Sequence, residues 1–435
     1  MTDDLDGFDV YTDGPQPAPR IADEPHLANG HDGTPRKADG KKTEKPKRDM
    51  PRAWWRDPAT IPARSSLFDG HYFRRTIGAT IGGGGRAKTT FGIYEAVCMA
   101  AGFDIATKTP SPGGALRVWV CNGEEDQDEL DRRVAAVCQR YGISQADLGD
   151  RLLVQSVRDN PLRLAALVNN RPVVDETVKS YMVDVINRND IDVFTVDPLV
   201  SFHAVIENDN SHMDVLIKEG FGAIASQTDT AGEVFHHTGK LRPGQTDATV
   251  EDGRGASAIV WAVRSARVFN FMTPEEAAKL GLSEDERRLH IRITNGKANM
   301  GPLGKAKWMK LVVENLANGD AVAVASSWSP PDPFKNVTTA DMELARTLAA
   351  TGEYRADMRS PKWIGYALAK HFDLPIVHKG NNQPKDLERL KTIIKTWLSN
   401  KVLKIEERKD EEGKSREFMV AGSFKPEQPA HSDDD

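Results

Sequence analysis

Between residues 51 and 328, short apolar runs alternate with stretches whose apolar residues recur every third or fourth position. Arg75–Ile81 (RTIGATI), Leu116–Asn122 (LRVWVCN), Arg151–Val157 (RLLVQSV) and Ile191–Asp197 (IDVFTVD) predict buried strands. Thr89–Gly102, the segment through Leu130, Val134 and Val137, and Val174–Asp190 carry helical spacing. Strand–helix alternation of this kind predicts an α/β fold with a mostly parallel, doubly wound sheet.

The pattern changes after the Pro-rich stretch Ser326–Phe334, which predicts a linker over 329–336. Residues 337–423 predict a smaller domain. Its first helix is Asp341–Ala350. Its second is Pro361–Phe372, with Ser360 as cap and Pro at the first position. The third, Pro384–Asn400, places Leu387, Leu390, Ile393, Ile394, Trp397 and Leu398 on one stripe. Two strands around the turn KDEEGKS follow. Three helices and then a hairpin is the order of a winged helix. Residues 1–50 lack apolar clusters and predict a disordered tail, acidic to Asp32 and basic from Arg36 to Arg48. Residues 424–435 predict an acidic disordered tail.

Composition bounds the function. A chain of 435 residues with 39% hydrophobic and 28% charged residues fits two or three globular domains. No apolar run reaches the roughly 20 residues that span a bilayer. Asp3, Asp4 and Asp6 stand where a signal peptide has basic residues, so a cytoplasmic protein is expected. Cys98, Cys121 and Cys138 form no CxxC pair and predict buried thiols, not a zinc site. The net charge of −6 neither advertises nor excludes nucleic acid, because a local basic groove matters more than the total.

The strongest chemical signal is IGGGGRAKTT (Ile81–Thr90), between a predicted strand and helix. G-x-x-x-x-G-K-[ST] maps onto Gly82–Thr89. Gly82, Gly83, Gly84, Gly85, Arg86 and Ala87 supply backbone N–H groups for phosphate oxygens, and Thr90 continues the cradle into the helix. Lys88 is placed to bridge the β- and γ-phosphates of ATP, and Thr89 to hold a Mg²⁺ position. Ala87 replaces the second Gly of the pattern. A φ near the helical region is expected there, at little steric cost.

Hydrolysis also requires carboxylates. Asp197 ends a predicted strand and is the second candidate metal residue. Glu124 and Glu125 follow directly on the strand VWVCN. Glu124 is the first candidate for polarising the attacking water and Glu125 the second. His236 and His237 end the apolar run GEVFHH, where an imidazole can reach a γ-phosphate. Arg254, Arg264 and Arg267 are candidates for an arginine that stabilises the transferring phosphoryl group.

Together, GGGGRAKTT, VWVCNGEEDQDELDRRV, FTVDPLVSFHAVIENDN, HHTGK, RGASAIVWAVRSARV and NGKANMGP, in this order, resemble the RepA-type AAA ATPases, relatives of the RecA- and DnaB-like helicases. The resemblance covers about residues 51–325. It implies a RecA-like core that closes into a homo-oligomeric ring, usually a hexamer, binds ATP and Mg²⁺ between subunits, and acts on single-stranded DNA in its channel. It assigns Lys88, Thr89, Glu124 and Asp197 as above, His236 and His237 to a paired-His motif, and Arg254 and Arg264 to the finger segment. Lys297 and Asn299 fall in a late motif. Gly239 stands where relatives commonly have Arg. Ser201–Asp214 and Leu241–Asp252 are expected to be mobile DNA-contacting loops. Lys391, Lys395, Lys401 and Lys404 are candidates for duplex contacts by the C-terminal domain. The rival readings are a nucleotide-sensing, operator-binding regulator and a filament-forming recombination mediator.

Overall fold

The computed structural model describes residues 54–239, 242–252, 256–300 and 306–424, with only the backbone at 256 and 257. The chain divides into two units, residues 1–62 and 63–435. In the first, a single helical turn at Pro58–Thr60 is capped by Asp57, whose carboxylate accepts from the Ala59 N–H.

The second unit is built on a nine-stranded sheet. Its strands are β1 (Thr76–Gly82), β2 (Val118–Asn122), β3 (Leu152–Ser156), β4 (Val193–Asp197), β5 (Ala231–His237), β6 (Ser265–Phe271), β7 (His290–Ala298), β8 (Lys307–Asn315) and β9 (Ala321–Trp328). The order across the sheet is β9-β8-β7-β6-β1-β5-β4-β2-β3. The strands from β6 to β3 run parallel, and β7, β8 and β9 add an antiparallel edge. The expected α/β class with a mostly parallel sheet is therefore the one observed.

Parallel strands are covered on both faces and so carry apolar residues on both. Ile77, Ala79 and Ile81 of β1 face one core together with Trp119 and Cys121 of β2. Val118 and Val120 of β2 face the other. That second core holds helices α1 (Lys88–Ala101) and α2 (Gln127–Tyr141). The first holds α3 (Glu176–Arg188) and α4 (Ala256–Ala262). Cys98 and Cys121 are buried thiols and Cys138 is half-buried.

The second face of β1 differs, because it carries Gly78, Thr80 and Gly82. A buried charge network fills the space they leave. Arg267 of β6 donates to both carboxylate oxygens of Glu95 on α1, at 2.7 and 2.5 Å, and to Thr80 Oγ1 at 2.7 Å. Thr80 donates to Glu233 of β5 at 2.5 Å, His71 Nε2 lies 2.9 Å from the same carboxylate, and Tyr72 donates to Glu95 at 2.8 Å. Burial alone would raise the Glu233 pKa, yet the charges of His71 and Arg267 hold it below its ordinary value. A Cβ on Gly78 would sit 2.3 Å from Glu233 Oε2, so only glycine leaves room for this pairing. Arg267, one of three arginines considered for the active site, is thus a structural cation 2% exposed.

Two parts of the core were not legible as elements in the sequence. Ala165–Val168 and Arg171–Val174 pair as a hairpin, and His203–Ala204 adds a third strand. Ser201–Asp214 is accordingly not a loose loop: Phe202, His203, His212 and Met213 are buried within it, and Asn210–Asp214 is helical.

Residues 339–421 form a separate core. Helices α5 (Pro274–Leu280), α6 (Thr339–Ala350), α7 (Ile364–His371) and α8 (Pro384–Ser399) precede the hairpin β10 (Leu403–Lys409) and β11 (Ser415–Ala421), of which α5 belongs to the sheet region and packs against α8. Arg355 bridges to Phe418 of β11. Thr338 and Asp341 form a capping box at α6. Helix α7 starts later than expected and Ser360 does not cap it. Ser360 instead closes a turn in which its carbonyl accepts from the Trp363 N–H and its hydroxyl from the Lys362 N–H. No helix among the described residues is long and apolar enough to cross a membrane.

Replacing Arg267 with Ala leaves Glu95 and Glu233 buried without their cation. Stability is expected to fall by about 3–5 kcal/mol in urea unfolding, whereas Arg264→Ala, at an exposed position, leaves it within about 0.5 kcal/mol.

Candidate active site

Strand β1 ends at Gly82 and helix α1 begins at Lys88, so the intervening glycine-rich loop closes over the C-terminal edge of the parallel strands. Gly84 and Gly85 are exposed, and Gly85 takes a φ of +70°. The N-cap of α1 is Ala87, which offers no side-chain acceptor to the first-turn N–H groups. A helix start left in this state is an anion site. Ala87 departs from expectation: its φ is +54° and its ψ 29°, the left-handed region, not the helical one. A Cβ there costs about 1–2 kcal/mol.

Lys88 is 5% exposed, and its Nζ lies 2.9 Å from Gly82 O, 3.1 Å from Gly83 O and 3.2 Å from His237 Nδ1. Burial pushes its pKa down to about 8, against the pull of the Asp197 and Glu124 charges. The ammonium is thus folded back on the loop's own carbonyls, and a phosphate has to draw it off them. Thr89 Oγ1 donates to Asp197 Oδ2 at 2.5 Å across the gap between α1 and β4. Burial raises the Asp197 pKa to about 6, with the Thr89 bond and Lys88 opposing and Glu124 adding to the rise.

Strand β2, next to β4, delivers the remaining carboxylates. Asn122 Oδ1 accepts from the N–H groups of Glu124 (2.9 Å) and Glu125 (2.8 Å), a side-chain turn that fixes both residues at the strand end. Glu125 is engaged by Arg133 through two bonds of 2.6 and 2.5 Å. Glu124 is exposed beside Lys88 and Asp197. Geometry therefore separates the two candidates: Glu125 is tied down, and Glu124 faces the crevice. Asn122 and Arg133 were missed in the sequence, although an Asn followed by Gly at a strand end is a turn signal.

His236 is buried and His237 half-buried beside Lys88, both at the end of β5. Thr90 is buried and lies 3.4 Å from Arg133 Nη1. The Arg86 side chain turns away from the loop, donating to Asn270 Oδ1 at 2.5 Å and Phe269 O at 3.2 Å. Its expected phosphate contact is thus left to its backbone. Gly83 and Gly82 complete the floor, and a Cβ on Gly82 would lie 3.1 Å from Phe269 Cβ.

Arg264 is not brought to this site. It precedes β6, whose Ser265 pairs with Gly78 while Phe269 pairs with Gly82, so about 13 Å of strand separates it from the loop. Lys297 and Asn299 lie at the same far end: Lys297 Nζ donates to the carbonyls of Val260 and Trp261 at the end of α4, and the Asn299 N–H to Arg264 O. Arg254 lies outside the described residues. A Cβ on Gly239 would meet only Asp252 O, at 3.5 Å, so packing does not impose glycine there. Residues 242–252 are tethered, with the Ala248 N–H on Asn270 Oδ1 and Ala248 and Val250 buried, so this segment too is more fixed than expected. In the C-terminal part, Lys391 pairs with Glu388 at 2.9 Å and Lys404 with Glu406 at 3.2 Å, while Lys395 and Lys401 are exposed.

Among the described residues no group of three or more His, Cys, Asp or Glu side chains is set to hold a metal. Thr89 and Asp197 nevertheless fit an ion completed by phosphate oxygens and water, since a hydroxyl and a carboxylate converge there and the carboxylate lacks a full counter-charge. Residues 43–243 match the family model described as AAA domain. The glycine-rich segment Gly82–Thr89 lies within that stretch. Among solved structures, the chain is similar to the RadB recombinase at 10% identity, covering 55% of this chain and 89% of that one, with a TM-score of 0.36. It is also similar to a DnaB-like replicative helicase, described with its interactions with primase, at 13% identity and a TM-score of 0.40. That match covers 55% of this chain and 57% of the helicase's.

Two outcomes are expected. Ala87→Gly releases the backbone strain in the glycine-rich loop and raises stability by up to about 1 kcal/mol, read as a higher melting temperature without nucleotide. Asp197 is held ionised at neutral pH at a cost, because its folded pKa of about 6 lies above the unfolded value near 3.8. Asp197→Asn should therefore stabilise the nucleotide-free protein by about 2–3 kcal/mol at pH 8. Below about pH 3 the carboxyl is protonated folded and unfolded alike, and the two melting curves should converge.

Proposed function

We propose that this protein is an ATP-dependent, DNA-acting ring ATPase of the RepA type, a helicase or replication-associated motor working in the cytoplasm. The observation that carries the reading is the separation of Arg264 from the phosphate loop. One end of the sheet gathers Lys88, Thr89, Asp197 and Glu124, and the other presents an exposed arginine. In this reading a transferring phosphoryl group meets both, with the finger, Arg264 or Arg254, supplied by a second copy.

In this reading the loop N–H groups and Lys88 bind the triphosphate of ATP, with Lys88 leaving the Gly82 and Gly83 carbonyls for the β- and γ-phosphates. Thr89 and Asp197 hold Mg²⁺, which when bound supplies positive charge to the phosphate oxygens. Glu124 orients a water and takes its proton as the water oxygen bonds to the γ-phosphorus. The bond from that phosphorus to the bridging oxygen breaks, and ADP leaves with the electron pair. His237, in contact with Lys88, is placed to register the change. A head-to-tail contact repeated round a ring, six copies in the closest family pattern, would align the DNA-facing segments around one channel. The C-terminal helices and hairpin have the element order of a winged helix and offer Lys395 and Lys401 to a duplex.

Turnover measured with and without single-stranded DNA tests the reading. Glu124→Gln is expected to lower it 10²–10⁴-fold, as an order-of-magnitude loss of general-base catalysis, while ATP binding by calorimetry persists. Lys88→Ala and Arg264→Ala should each be inactive alone and regain partial activity when mixed, because mixed contacts pair an intact Lys88 with an intact Arg264. No recovery on mixing would remove the shared site. Tight operator binding without turnover would instead favour the regulator, and open filaments in micrographs the recombination mediator.

A further inference from the structure

Trp54 and Trp55 stand out because adjacent tryptophans are 68% and 87% exposed. Indoles are large and apolar, and a pair left this open marks a contact surface. Their rings meet edge to face, with centroids 5.6 Å apart and planes at 67°, so the contact takes up one face of one ring and leaves the other faces open. The chain just beyond them is held. Asp57 caps the turn at Pro58–Thr60, and Arg56 donates to Thr60 Oγ1 at 3.2 Å and to Thr60 O at 2.5 Å. The pair is therefore displayed from a fixed turn.

The sequence around it is strongly cationic. Seven Lys and Arg against two acidic residues fall between Arg36 and Arg48, and Arg52 and Arg56 flank the indoles, in a chain whose total charge is −6. Positive charge close in sequence to open aromatic faces is complementary to a flexible polyanion that also carries π-faces. A duplex offers the charge but keeps its bases stacked. A hydrophobic protein groove would match the rings but not the flanking arginines.

The geometry points to Trp54 and Trp55 as a base-stacking site for single-stranded nucleic acid. This rests on the DNA-acting reading above and adds a contact to it. Fluorescence anisotropy of a labelled oligothymidylate, and of a duplex of equal length, with the full-length protein tests the assignment. The W54A/W55A variant should bind the single strand roughly tenfold to hundredfold more weakly. W54F/W55F should recover most of that loss, since a phenyl ring still stacks, and duplex affinity should change less than about threefold.

Equal single-strand affinity of W54A/W55A and wild type would overturn the site while leaving the DNA-acting reading intact. So would equal losses on both nucleic acids, or a change of oligomeric state in sedimentation that phenylalanine does not restore, which would make the pair a contact between copies. Wild-type protein that binds neither nucleic acid would overturn the DNA-acting reading along with the site.

Discussion

The position of the phosphate loop depends on a cation buried beneath it. Arg267 reaches from β6 to Glu95 on α1 and, through Thr80, to Glu233 on β5. These bonds join the helix that starts at Lys88 to the three strands beside it. Two buried carboxylates around one guanidinium are costly to desolvate, and a well-packed apolar replacement can match such a pair in stability. What apolar contacts do not supply is direction: the planar guanidinium accepts only one placement of Glu95, which sets the rotation of α1 about its axis. Gly78 is the steric condition for this arrangement, because any side chain there collides with Glu233.

Above this rigid base the site is strained and poorly solvated. Ala87 sits at a positive φ, Lys88 is buried against carbonyls, and Asp197 is buried with a carboxyl pKa near 6. Each of these costs stability, and on the proposed function the costs at Lys88 and Asp197 would be offset by a bound phosphate and cation. The Lys88 ammonium would exchange carbonyls for phosphate, and Asp197 would gain a counter-charge.

Periodicity made the parallel sheet legible, because β1, β2, β3 and β4 are apolar runs bounded by turn residues, and the glycine-rich segment fell where a strand meets a helix. Glu124 and Asp197 were legible for the same reason: they end such runs. Other features depend on partners distant in sequence. Arg267 and Arg264 look alike in RSAR, yet one points into the core and the other does not, and which is which depends on Glu95, 172 residues away. Glu124 was preferred to Glu125 from the sequence, but the contact that separates them, Arg133 nearly two turns into α2 holding Glu125, was not legible there. The hairpin Ala165–Val174 was hidden by its short strands and polar Asn169–Asn170 turn. Ala87 illustrates a local miss: no neighbour in sequence announces a left-handed φ at a residue with a Cβ.

Sheet geometry limits what one copy can do. The strands are parallel, so side chains that follow β-strand C-termini converge on the crevice, and those that precede β6 emerge at the other end. No rotamer of Arg264 spans about 13 Å of strand. A contact that brings one copy's arginine to another's phosphate loop is head-to-tail, joining unlike faces, so each copy still has one face of each kind to offer. Such a contact does not stop at a pair. It closes only when the rotation between copies divides a full turn, and otherwise it continues as a filament. On the proposed function, the ring and filament readings would share one chemical interface and differ in a single angle.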